Sequence, residues 1–473
     1  MQTRRDQLQA YRFQNRRALA SLVTGEPNVV EPPMRRLTVL TMSGIMIAIL
    51  IAVGFALVGV FKPAPGDSWK DPGTVIIEEE TGARYVILDG ALHPVVNFTS
   101  AVLAAANKQN PNVVTVSRSD LRHTKRGATI GIARLPDSLP NASNLDGYPW
   151  TVCSTQQANG SESPQAKVSL DIGSTGSATA LGNHAVVVAD TKPPRTQYLL
   201  VGGTRYAIAS PAVETALNLT GRPVLEVGTS FLQALPAGSD LRTPTLPDVG
   251  AKSHQVQISG QPATIGQIVH TTDTDQYFIV LDDGVEPITN PLWLQLLRSL
   301  RGAAGTPVPE VRATFAEVSA QPQSPASWGR LRQQLADLPG ELPAFSDDAA
   351  QHHGVCAIYR SAGGVPALAL PPTANLPSFH APGVTESAEA AQGQADVVAV
   401  SPGRAAVVTA GNAHATVFLV AAPGKRFPFP SRDTLGLLGY GEVSPLKIPP
   451  RLLMLIPQGP ALDTAAARTP TSG

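Results

Sequence analysis

The sequence predicts a β-rich α+β protein held by a single membrane helix, and three observations support this fold class. An apolar run without any charge, residues 39–61, is long enough to cross a bilayer as a helix. Proline (43) and glycine (41) make up nearly a fifth of the 473 residues, which favours short elements joined by turns. Four later segments repeat one hairpin-and-helix pattern. We therefore expect an N-terminal amphipathic helix, one transmembrane helix, and an extracytoplasmic region of four small β-hairpin and helix repeats around a central β-sheet domain with pseudo-two-fold symmetry.

Charge is distributed unevenly on the two sides of the apolar run. Residues 1–38 carry seven arginines and three acidic residues, a net charge of +4, and residues 62–473 carry the remaining 29 basic and 33 acidic residues, a net charge of −4. Arginine and lysine are enriched on the cytoplasmic side of membrane helices. Because Arg35 and Arg36 directly precede the run, we expect a cytoplasmic N-terminus and a periplasmic C-terminal domain. The large domain has no dense basic patch, which argues against a nucleic-acid partner.

We interpret residues 39–61 as an uncleaved, single-pass transmembrane helix. A cleaved signal peptide is the alternative for an apolar segment near the N-terminus. Against it, the apolar run is too long and follows 38 other residues, and the exit sequence Lys62-Pro63-Ala64-Pro65-Gly66 is a poor small-residue cleavage site.

The N-terminal head is predicted to form a basic amphipathic helix from about Thr3 to Val23. One of its faces is formed by four residues at helical spacing: Leu8, Tyr11, Leu19 and Leu22. Such a helix can lie on the inner leaflet or dock on a partner protein. Three glutamines on its polar face favour the partner, because a lipid surface does not require them.

Four segments each combine a short apolar strand, a tight turn, and a second strand that leads into a helix. They begin at Tyr85, Tyr198, Tyr277 and Val417. Their turns are Asp-Gly, Gly-Gly or Pro-Gly pairs of the kind found in β-hairpins, with these glycines: Gly90, Gly203, Gly284 and Gly424. The expected helix N-caps are Asn97, Ser210, Asn290 and Ser431. One unit cannot bury its own apolar face fully, so we expect the four to pack on neighbours.

A larger symmetry relates two halves of the extracytoplasmic region. Each half contains a repeat, a set of apolar strands that includes one cysteine, and another repeat, and we expect the two strand sets to meet in one central sheet. The predicted organisation is a cytoplasmic helix (1–38), a transmembrane helix (39–61), a linker and first strand (62–84), repeat 1 (85–133), the first half of the central domain (134–197), repeat 2 (198–250), repeat 3 (251–320), the second half of the central domain (321–416), repeat 4 (417–462) and a disordered tail (463–473).

Cys153 and Cys356 are the only cysteines, and they occupy matching strands of the two halves, 203 positions apart. In an oxidising compartment they would form one disulfide, for which chain entropy gives roughly 5 kcal/mol as an upper value. Two buried free thiols are the alternative. The spacing excludes a CxxC redox motif, and two thiols alone cannot complete a structural zinc site.

Nearly the whole chain resembles the EccB family, a membrane-anchored core subunit of type VII (ESX) secretion systems in actinobacteria. The resemblance rests on the head TRRDQLQAYRFQNRRALASLVTGEP, the membrane exit KPAPGDSWKDPGTVIIEEETGARYVILDGALHPVVN and the cysteine pair. It implies a core complex with EccC, EccD and EccE, in which EccC is the FtsK/SpoIIIE-like ATPase. It also implies an elongated periplasmic part, with four repeats around a central domain, and self-association through that region. ATPase activity has been assigned to the family as well.

The sequence offers no recognisable catalytic machinery. It contains no GxxxxGK[ST] phosphate loop, and the pair Gly424-Lys425 is followed by Arg426 and fits a hairpin turn better. The aspartates and histidines of residues 347–353 fit a solvated loop better than a metal site. We therefore predict no catalytic residue, no metal and no cofactor. The resemblance implies a structural subunit that supports export of WxG-type proteins. The alternative is a membrane-tethered extracytoplasmic hydrolase.

Overall fold

The chain divides into two units, residues 1–71 with 114–116, and residues 72–113 with 117–473. The structure is a computed structural model. It describes these residues: 4–25, 35–61, 67–105, 112–137, 139–157, 165–174, 178–341, 343–371, 385–386, 393–411 and 415–471.

Two long helices form most of the first unit. Helix α1 spans Arg4–Thr24, close to the predicted bounds, and ends at Gly25, whose φ of +76° suits the left-handed end of a helix. Helix α2 spans Arg35–Phe61. Its segment Leu37–Leu57 has a mean hydropathy of 2.4 and is not buried against other parts of the described chain. Among the described residues, α2 is the one helix long and apolar enough to cross a membrane.

From residue 72 onward, the described chain contains short helices and strands and belongs to the second unit, except that the last three residues of β4 are assigned to the first. Its helices are α3 Phe98–Ala105, α4 Arg118–Leu121, α5 Pro211–Ala216, α6 Thr229–Ala234, α7 Pro291–Arg298, α8 Phe315–Ser319, α9 Pro325–Leu335, α10 Asp348–Gln351, α11 Arg432–Leu437, α12 Pro450–Met454 and α13 Thr464–Ala467. Its first thirteen strands are β1 Thr74–Glu78, β2 Arg84–Leu88, β3 Ala91–Pro94, β4 Asn112–Val116, β5 Trp150–Gln157, β6 Gln165–Ile172, β7 Thr179–Ala180, β8 His184–Asp190, β9 Gln197–Val201, β10 Thr204–Ala207, β11 Leu225–Val227, β12 Lys252–Ile258 and β13 Gln261–Thr264. The others are β14 Ile268–Thr271, β15 Tyr277–Val280, β16 Val285–Ile288, β17 Val311–Ala313, β18 Ala344–Phe345, β19 Gly354–Tyr359, β20 Ala367–Leu370, β21 Thr385–Glu386, β22 Val397–Ala399, β23 Ala405–Thr409, β24 Val417–Ala421, β25 Lys425–Pro428 and β26 Leu446–Lys447.

The four repeats share one topology, which is larger than the predicted hairpin and helix. Three antiparallel strands come first: β1–β3 in repeat 1, β8–β10 in repeat 2, β14–β16 in repeat 3 and β23–β25 in repeat 4. A helix, a short fourth strand and a short helix follow. In repeats 2 to 4 the fourth strand (β11, β17 or β26) pairs in parallel with the first strand. A parallel partner requires a crossover, which the intervening helix supplies.

Three of the four predicted N-cap side chains accept hydrogen bonds from their helices. Asn97 accepts from the Ser100 N–H, Asn290 from two N–H groups of α7, and Ser431 from the Thr434 N–H. Ser210 makes no such bond, and its helix begins instead with Pro211 at the first helical position.

After its last helix, each repeat returns to the edge of its own third strand through a segment that we call the edge arm. The edge arms are residues 125–127, 236–238, 322–324 and 457–459. In repeats 1, 2 and 4 the arm ends in a glycine that lies against a ring. A Cβ on Gly127, Gly238 or Gly459 would stand 2.2, 2.1 or 2.4 Å from the nearest ring atom of His93, Tyr206 or Phe427. Repeat 3 has Ser324 at this place, and its N–H donates to Glu286.

Strands from both halves of the chain form one central seven-stranded sheet, in the order β21-β22-β6-β5-β19-β20-β7. The halves alternate across it, because β22 from the second half pairs with β6 and β7 from the first half pairs with β20. Strands β5 and β19 pair antiparallel at its centre. The expectation that the two cysteine-bearing strand sets meet in one sheet agrees with this arrangement.

The structure corrects the predicted place of two strands. Strands β8 and β23 were expected in the central domain but are the first strands of repeats 2 and 4. Each lies inside its sheet, between an antiparallel hairpin and a parallel fourth strand. Interior strands that are covered on both faces are continuously apolar. The apolar pattern of β8 and β23 therefore could not show whether they belong to the central sheet or to the sheet of a repeat.

Two further predicted boundaries differ from the structure. Helix α9, expected in the central domain, places Leu331 in the core of repeat 3 and Leu335 in a core that repeats 2 and 3 share. The expected disordered tail is folded in its described part. Asp463 caps α13 by accepting from the Ala466 N–H, and Ala467 is fully buried beside the helix of repeat 1. The small apolar side chains of this segment make its burial possible.

The predicted turn glycines have different surroundings. Gly90, Gly203 and Gly424 have φ between +73° and +75°, whereas Gly284 is outside the left-handed region. A Cβ on Gly203 would lie 1.9 Å from the Pro366 carbonyl oxygen, and one on Gly424 would lie 2.5 Å from the Val398 carbonyl oxygen. Both carbonyls belong to the central domain. The hairpins of repeats 2 and 4 therefore rest on that domain through their turns.

We expect Gly203→Ala and Gly424→Ala to destabilise the protein more than Gly90→Ala does. All three changes place alanine in the left-handed region, at about 1–2 kcal/mol. A Cβ at Gly90 meets no atom within 4 Å, whereas the other two would collide with backbone, at a further cost of about 1–3 kcal/mol. Thermal unfolding of the three purified variants, followed by tryptophan fluorescence, measures the difference. Equal losses in melting temperature would show that the turns do not rest on the central domain.

Candidate functional site

The cysteines form the predicted disulfide at the centre of the molecule's internal symmetry. Cys153 of β5 lies directly opposite Cys356 of β19, with 4.0 Å between their Cα atoms and 2.03 Å between their sulfurs. The bond is buried against Ile358 and Ala369. It joins two strands that are 203 residues apart in the sequence, and it therefore ties the two halves of the chain together.

The two faces of the central sheet have different chemistry. Alternation along β5 and β6 places Thr151, Ser169 and Asp171 on the disulfide face. The opposite face contributes large side chains such as Trp150 and Tyr359 to the main apolar core. The disulfide therefore lies on the more polar side of the sheet, and packing on the other side supplies most of the apolar burial.

Asp171 is the titratable group on the disulfide face with the largest shift. Burial raises its pKa from an ordinary value near 3.8 to about 6, because the ionised carboxylate is poorly solvated there. Its neighbours across the strands are Thr151 and Ala399, neither of which carries a compensating charge. The carboxylate is therefore a cost to the folded state at neutral pH.

Tyrosine hydroxyls link the two halves through backbone carbonyls. Tyr148 donates to the carbonyl of Lys447 at 2.8 Å, Tyr440 donates to that of Pro140 at 2.7 Å, and Tyr359 donates to that of Ala234. Burial raises the pKa of Tyr148 to about 12 and also raises that of Tyr440. These hydroxyls remain protonated at physiological pH and act as structural donors. The sequence did not reveal them, because their partners are 125 to 300 residues away.

The groups considered for metal or phosphate chemistry make contacts within the fold. Asp347 forms an ion pair with Arg222 at 3.4 Å, and the His352 Nδ1 lies 2.7 Å from the Pro371 carbonyl oxygen. Gly424 and Lys425 lie at the hairpin between β24 and β25. Among the described residues, no group of three or more His, Cys, Asp or Glu side chains is placed to hold a metal ion.

The predicted docking face of α1 is uncovered. Its four residues are between 54% and 84% exposed: Leu8, Tyr11, Leu19 and Leu22. Phe13 is 61% exposed as well, and lies about 160° round the helix from the centre of that face. The side chains of Arg35 and Arg36, predicted to set the topology, lie outside the described part of the chain.

Two structural features were not predicted, although the sequence contains a pattern for each of them. The hairpin β12–β13 turns at Ser259-Gly260, both with positive φ, between alternating polar and apolar residues. The edge arms share a pattern that ends in glycine or serine: Lys-Arg-Gly, Pro-Ala-Gly, Pro-Gln-Ser and Pro-Gln-Gly. This recurrence could have extended each repeat beyond its first helix.

One apolar helix and four repeats around a disulfide-joined sheet define a membrane-anchored scaffold protein. A family model described as type VII secretion system ESX-1, transport TM domain B, matches residues 1–472. The chain therefore belongs to the EccB family. It is 28% identical over 488 residues to the ESX-3 secretion system ATPase EccB3 of Mycolicibacterium smegmatis. That alignment covers 98% of this chain and 90% of the relative. The ESX-1 secretion system ATPase EccB1 of Mycobacterium tuberculosis is 26% identical over 504 residues, with 98% and 94% covered.

Solved structures of related complexes contain chains with a similar fold. A chain in the structure of an intact ESX-5 inner membrane complex matches 100% of this chain and 96% of its own length, with a TM-score of 0.63 and 26% identity. The structure of an EccB3 dimer from the ESX-3 core complex matches 83% of this chain and 99% of its own, also with a TM-score of 0.63 and 26% identity.

We expect removal of the disulfide to lower the stability of the second unit. Closure of the long loop is worth at most about 5 kcal/mol, so Cys153→Ser/Cys356→Ser should melt well below the unmodified protein. The measurement is the melting temperature with and without dithiothreitol. The reductant should bring the unmodified protein close to the double variant and leave the variant unchanged. If the melting temperature of the unmodified protein did not change after complete reduction of its disulfide, the proposed stabilisation by the disulfide would be contradicted.

We expect Asp171→Asn to stabilise the protein at neutral pH. The folded pKa lies above the unfolded value, so the carboxyl contributes its stability below about pH 4 and loses it as pH rises through 6. A shift from 3.8 to about 6 corresponds to at most about 3 kcal/mol. Melting temperatures from pH 4 to pH 8 should converge near pH 4, separate as the pH rises from 4 to 6, and stay apart by a constant amount above pH 6, with the variant higher. Parallel curves would show that Asp171 is well solvated.

Proposed function

We propose that this chain is a membrane-anchored structural subunit of a type VII (ESX) secretion complex that supports export of WxG-type proteins across the cytoplasmic membrane. The match over the full chain to a component of an ESX-5 inner membrane complex carries this proposal. The match includes the head and the membrane helix as well as the repeats. Domains with related folds but unrelated roles would not be expected to share these terminal segments.

In the proposed topology, α2 crosses the membrane once, the head stays in the cytoplasm and the repeats lie outside. The net charge of +4 before the apolar run and −4 after it supports this orientation. A disulfide in the second unit also supports it, because such bonds persist in oxidising compartments.

Two kinds of contact are proposed for the assembled complex. The extracytoplasmic domain associates with a second copy of the chain, and the dimeric state of the EccB3 relative supports this contact. The exposed apolar face of α1 docks on EccC-, EccD- or EccE-like subunits in the cytoplasm. A row of leucines and a tyrosine fits a groove on a partner helix or domain, where burial would remove their apolar surface from water.

The names of several relatives include the word ATPase, so a hydrolase role is the second candidate. Phosphate loops bind through free backbone N–H groups ahead of a helix. In this chain the pair Gly424-Lys425 is part of a hairpin, where the Gly424 N–H donates to the Ala421 carbonyl and Lys425 pairs with Ala421. This pair is therefore unsuited to cradle a phosphate, and the scaffold role is the one that we propose.

We expect Leu8→Glu/Leu19→Glu to prevent assembly with the cytoplasmic partner while leaving the protein in the membrane. A carboxylate in a buried apolar contact has an unpaired charge to desolvate, which strongly disfavours docking. Phe13→Glu is the control for one such charge, because it introduces a carboxylate at a similarly exposed position on the opposite side of α1, and Leu19→Glu is the single variant with which it is compared. Co-purification of the tagged chain with the other complex subunits is the measurement. Intact complexes from the double variant would refute the docking face, and their loss in Phe13→Glu as well would show that α1 acts without a specific face.

A further inference from the structure

The edge arm of repeat 1 is basic, whereas the other three edge arms are uncharged. It reads Lys125-Arg126-Gly127, against Pro-Ala-Gly, Pro-Gln-Ser and Pro-Gln-Gly at the same place in repeats 2, 3 and 4. The preceding helix α4 begins with Arg118, and Arg122 follows its last residue as the C-cap. Residues 118–126 thus hold four Lys or Arg and one Asp, inside a region of net charge −4. The shared fold does not require these charges, because three copies of it lack them.

The backbone of this arm is firmly held. The Leu92 N–H donates to the Lys125 carbonyl at 2.7 Å, and the Gly127 N–H donates to the Leu92 carbonyl at 3.0 Å. Leu121 anchors the preceding helix by complete burial. Gly127 cannot be replaced without moving the ring of His93. Side chains on the arm are therefore presented from a fixed frame.

Acidic neighbours neutralise Arg118 but leave the following cations unpaired. The Arg118 Nε lies 2.7 Å from a Glu78 carboxylate oxygen, and the hydrogen bond with Arg118 lowers the pKa of Glu78. Glu80 accepts from the Arg118 N–H, and Asp120 accepts from the hydroxyl of the helix-capping Ser117.

Three exposed cations remain on the arm and just before it: Arg122, Lys125 and Arg126. None of them forms an ion pair with a carboxylate among the described residues. The Arg126 guanidinium lies over the Tyr85 ring, 4.9 Å from its centroid. This contact orients a charge without neutralising it.

The position of repeat 1 in the chain indicates what these cations meet. Repeat 1 is the first repeat after α2, and only the twelve residues 62–73 separate the end of α2 from β1. An extended chain covers about 3.3–3.6 Å per residue. Insertion of α2 in a bilayer would therefore keep repeat 1 within roughly 40 Å of the point where the helix leaves it. The basic arm belongs to the repeat that the anchor tethers most closely.

We propose that this basic arm binds the phosphate groups of anionic lipids at the surface of the membrane that α2 crosses. Guanidinium and ammonium groups bind phosphate by charge-assisted hydrogen bonds, and guanidinium can do so with two parallel bonds. Each cation near an anionic surface is worth about a fivefold change in the binding constant. The arm would fix repeat 1 against the bilayer in addition to its covalent tether. The proposal requires that the chain is membrane-anchored but does not depend on a role in export.

The test uses the full chain in nanodiscs of neutral phosphatidylcholine or of phosphatidylcholine with 30% phosphatidylglycerol, with Lys125 as the reporter. An uncharged amine-acylating reagent and mass spectrometry give the labelling rate of Lys125 relative to exposed Lys192 of repeat 2. We expect Lys125 to label several-fold more slowly in the anionic discs, and 0.5 M NaCl to remove the difference.

The variant Arg122→Gln/Arg126→Gln should lose this protection, because two cations together are worth about 25-fold in binding. Arg122→Gln alone, which leaves the contact with Tyr85 intact, should lose part of it. Arg312→Gln/Arg332→Gln is the matched control, since it removes two exposed cations from the region of repeat 3 and should retain full protection.

Four results would overturn the proposal. The first is an equal labelling rate of Lys125 in the two lipid compositions, and the second is protection of Lys125 that survives in the variant Arg122→Gln/Arg126→Gln. The third is protection that 10 mM inorganic phosphate produces in neutral discs, and the fourth is protection that requires other complex subunits. Inorganic phosphate would indicate a site for a free anion, and a requirement for subunits would indicate an acidic protein partner.

Discussion

The pairing of β5 with β19 is the constraint on which the rest of the second unit depends. These strands come from different halves of the chain, yet they lie side by side for six residues with Cys153 opposite Cys356. Long-range antiparallel pairing carries a large loop-closure cost, which the covalent bond removes once it has formed. The same strand pair supplies Trp150 and Tyr359 to the main core, so it joins the halves by a bond on one face and by apolar packing on the other.

Each repeat then depends on a neighbour. Repeats 1 and 4 share one apolar core, to which the C-terminal segment contributes Leu462 and Ala467. Repeats 2 and 3 share another core, in which Leu292 and Leu296 of α7 meet Val213 of α5. The predicted halves therefore pack crosswise, with the first repeat of one half against the last repeat of the other. A chain folded in this way has few places where one repeat can separate alone, which suits a component that keeps its shape within a larger assembly.

The sequence predicted the elements that local chemistry determines and missed those that depend on distant partners. Hairpins with turn glycines at Gly90, Gly203 and Gly424 are visible because a left-handed turn selects glycine locally. The fourth strands of repeats 2 to 4 are not visible, because two or three residues that pair in parallel show no periodicity of their own. The assignment of β8 and β23 failed for a related reason, since an apolar strand does not reveal which sheet contains it.

The polar groups of the described chain differ in whether they have partners within the fold. Several buried polar side chains bond to the fold itself: Tyr359 to Ala234, Tyr440 to Pro140, and Asp146 to the Nε of the partly exposed Arg404 at 2.5 Å. Features without an internal role lie on the outside, in the apolar face of α1 and in the cations of the first edge arm. Both are exposed. The edge arms of the four repeats differ in charge although the repeats share one fold, so these cations can vary without disturbing the core. Selection for new contacts would therefore act there, while the disulfide-joined sheet keeps its arrangement.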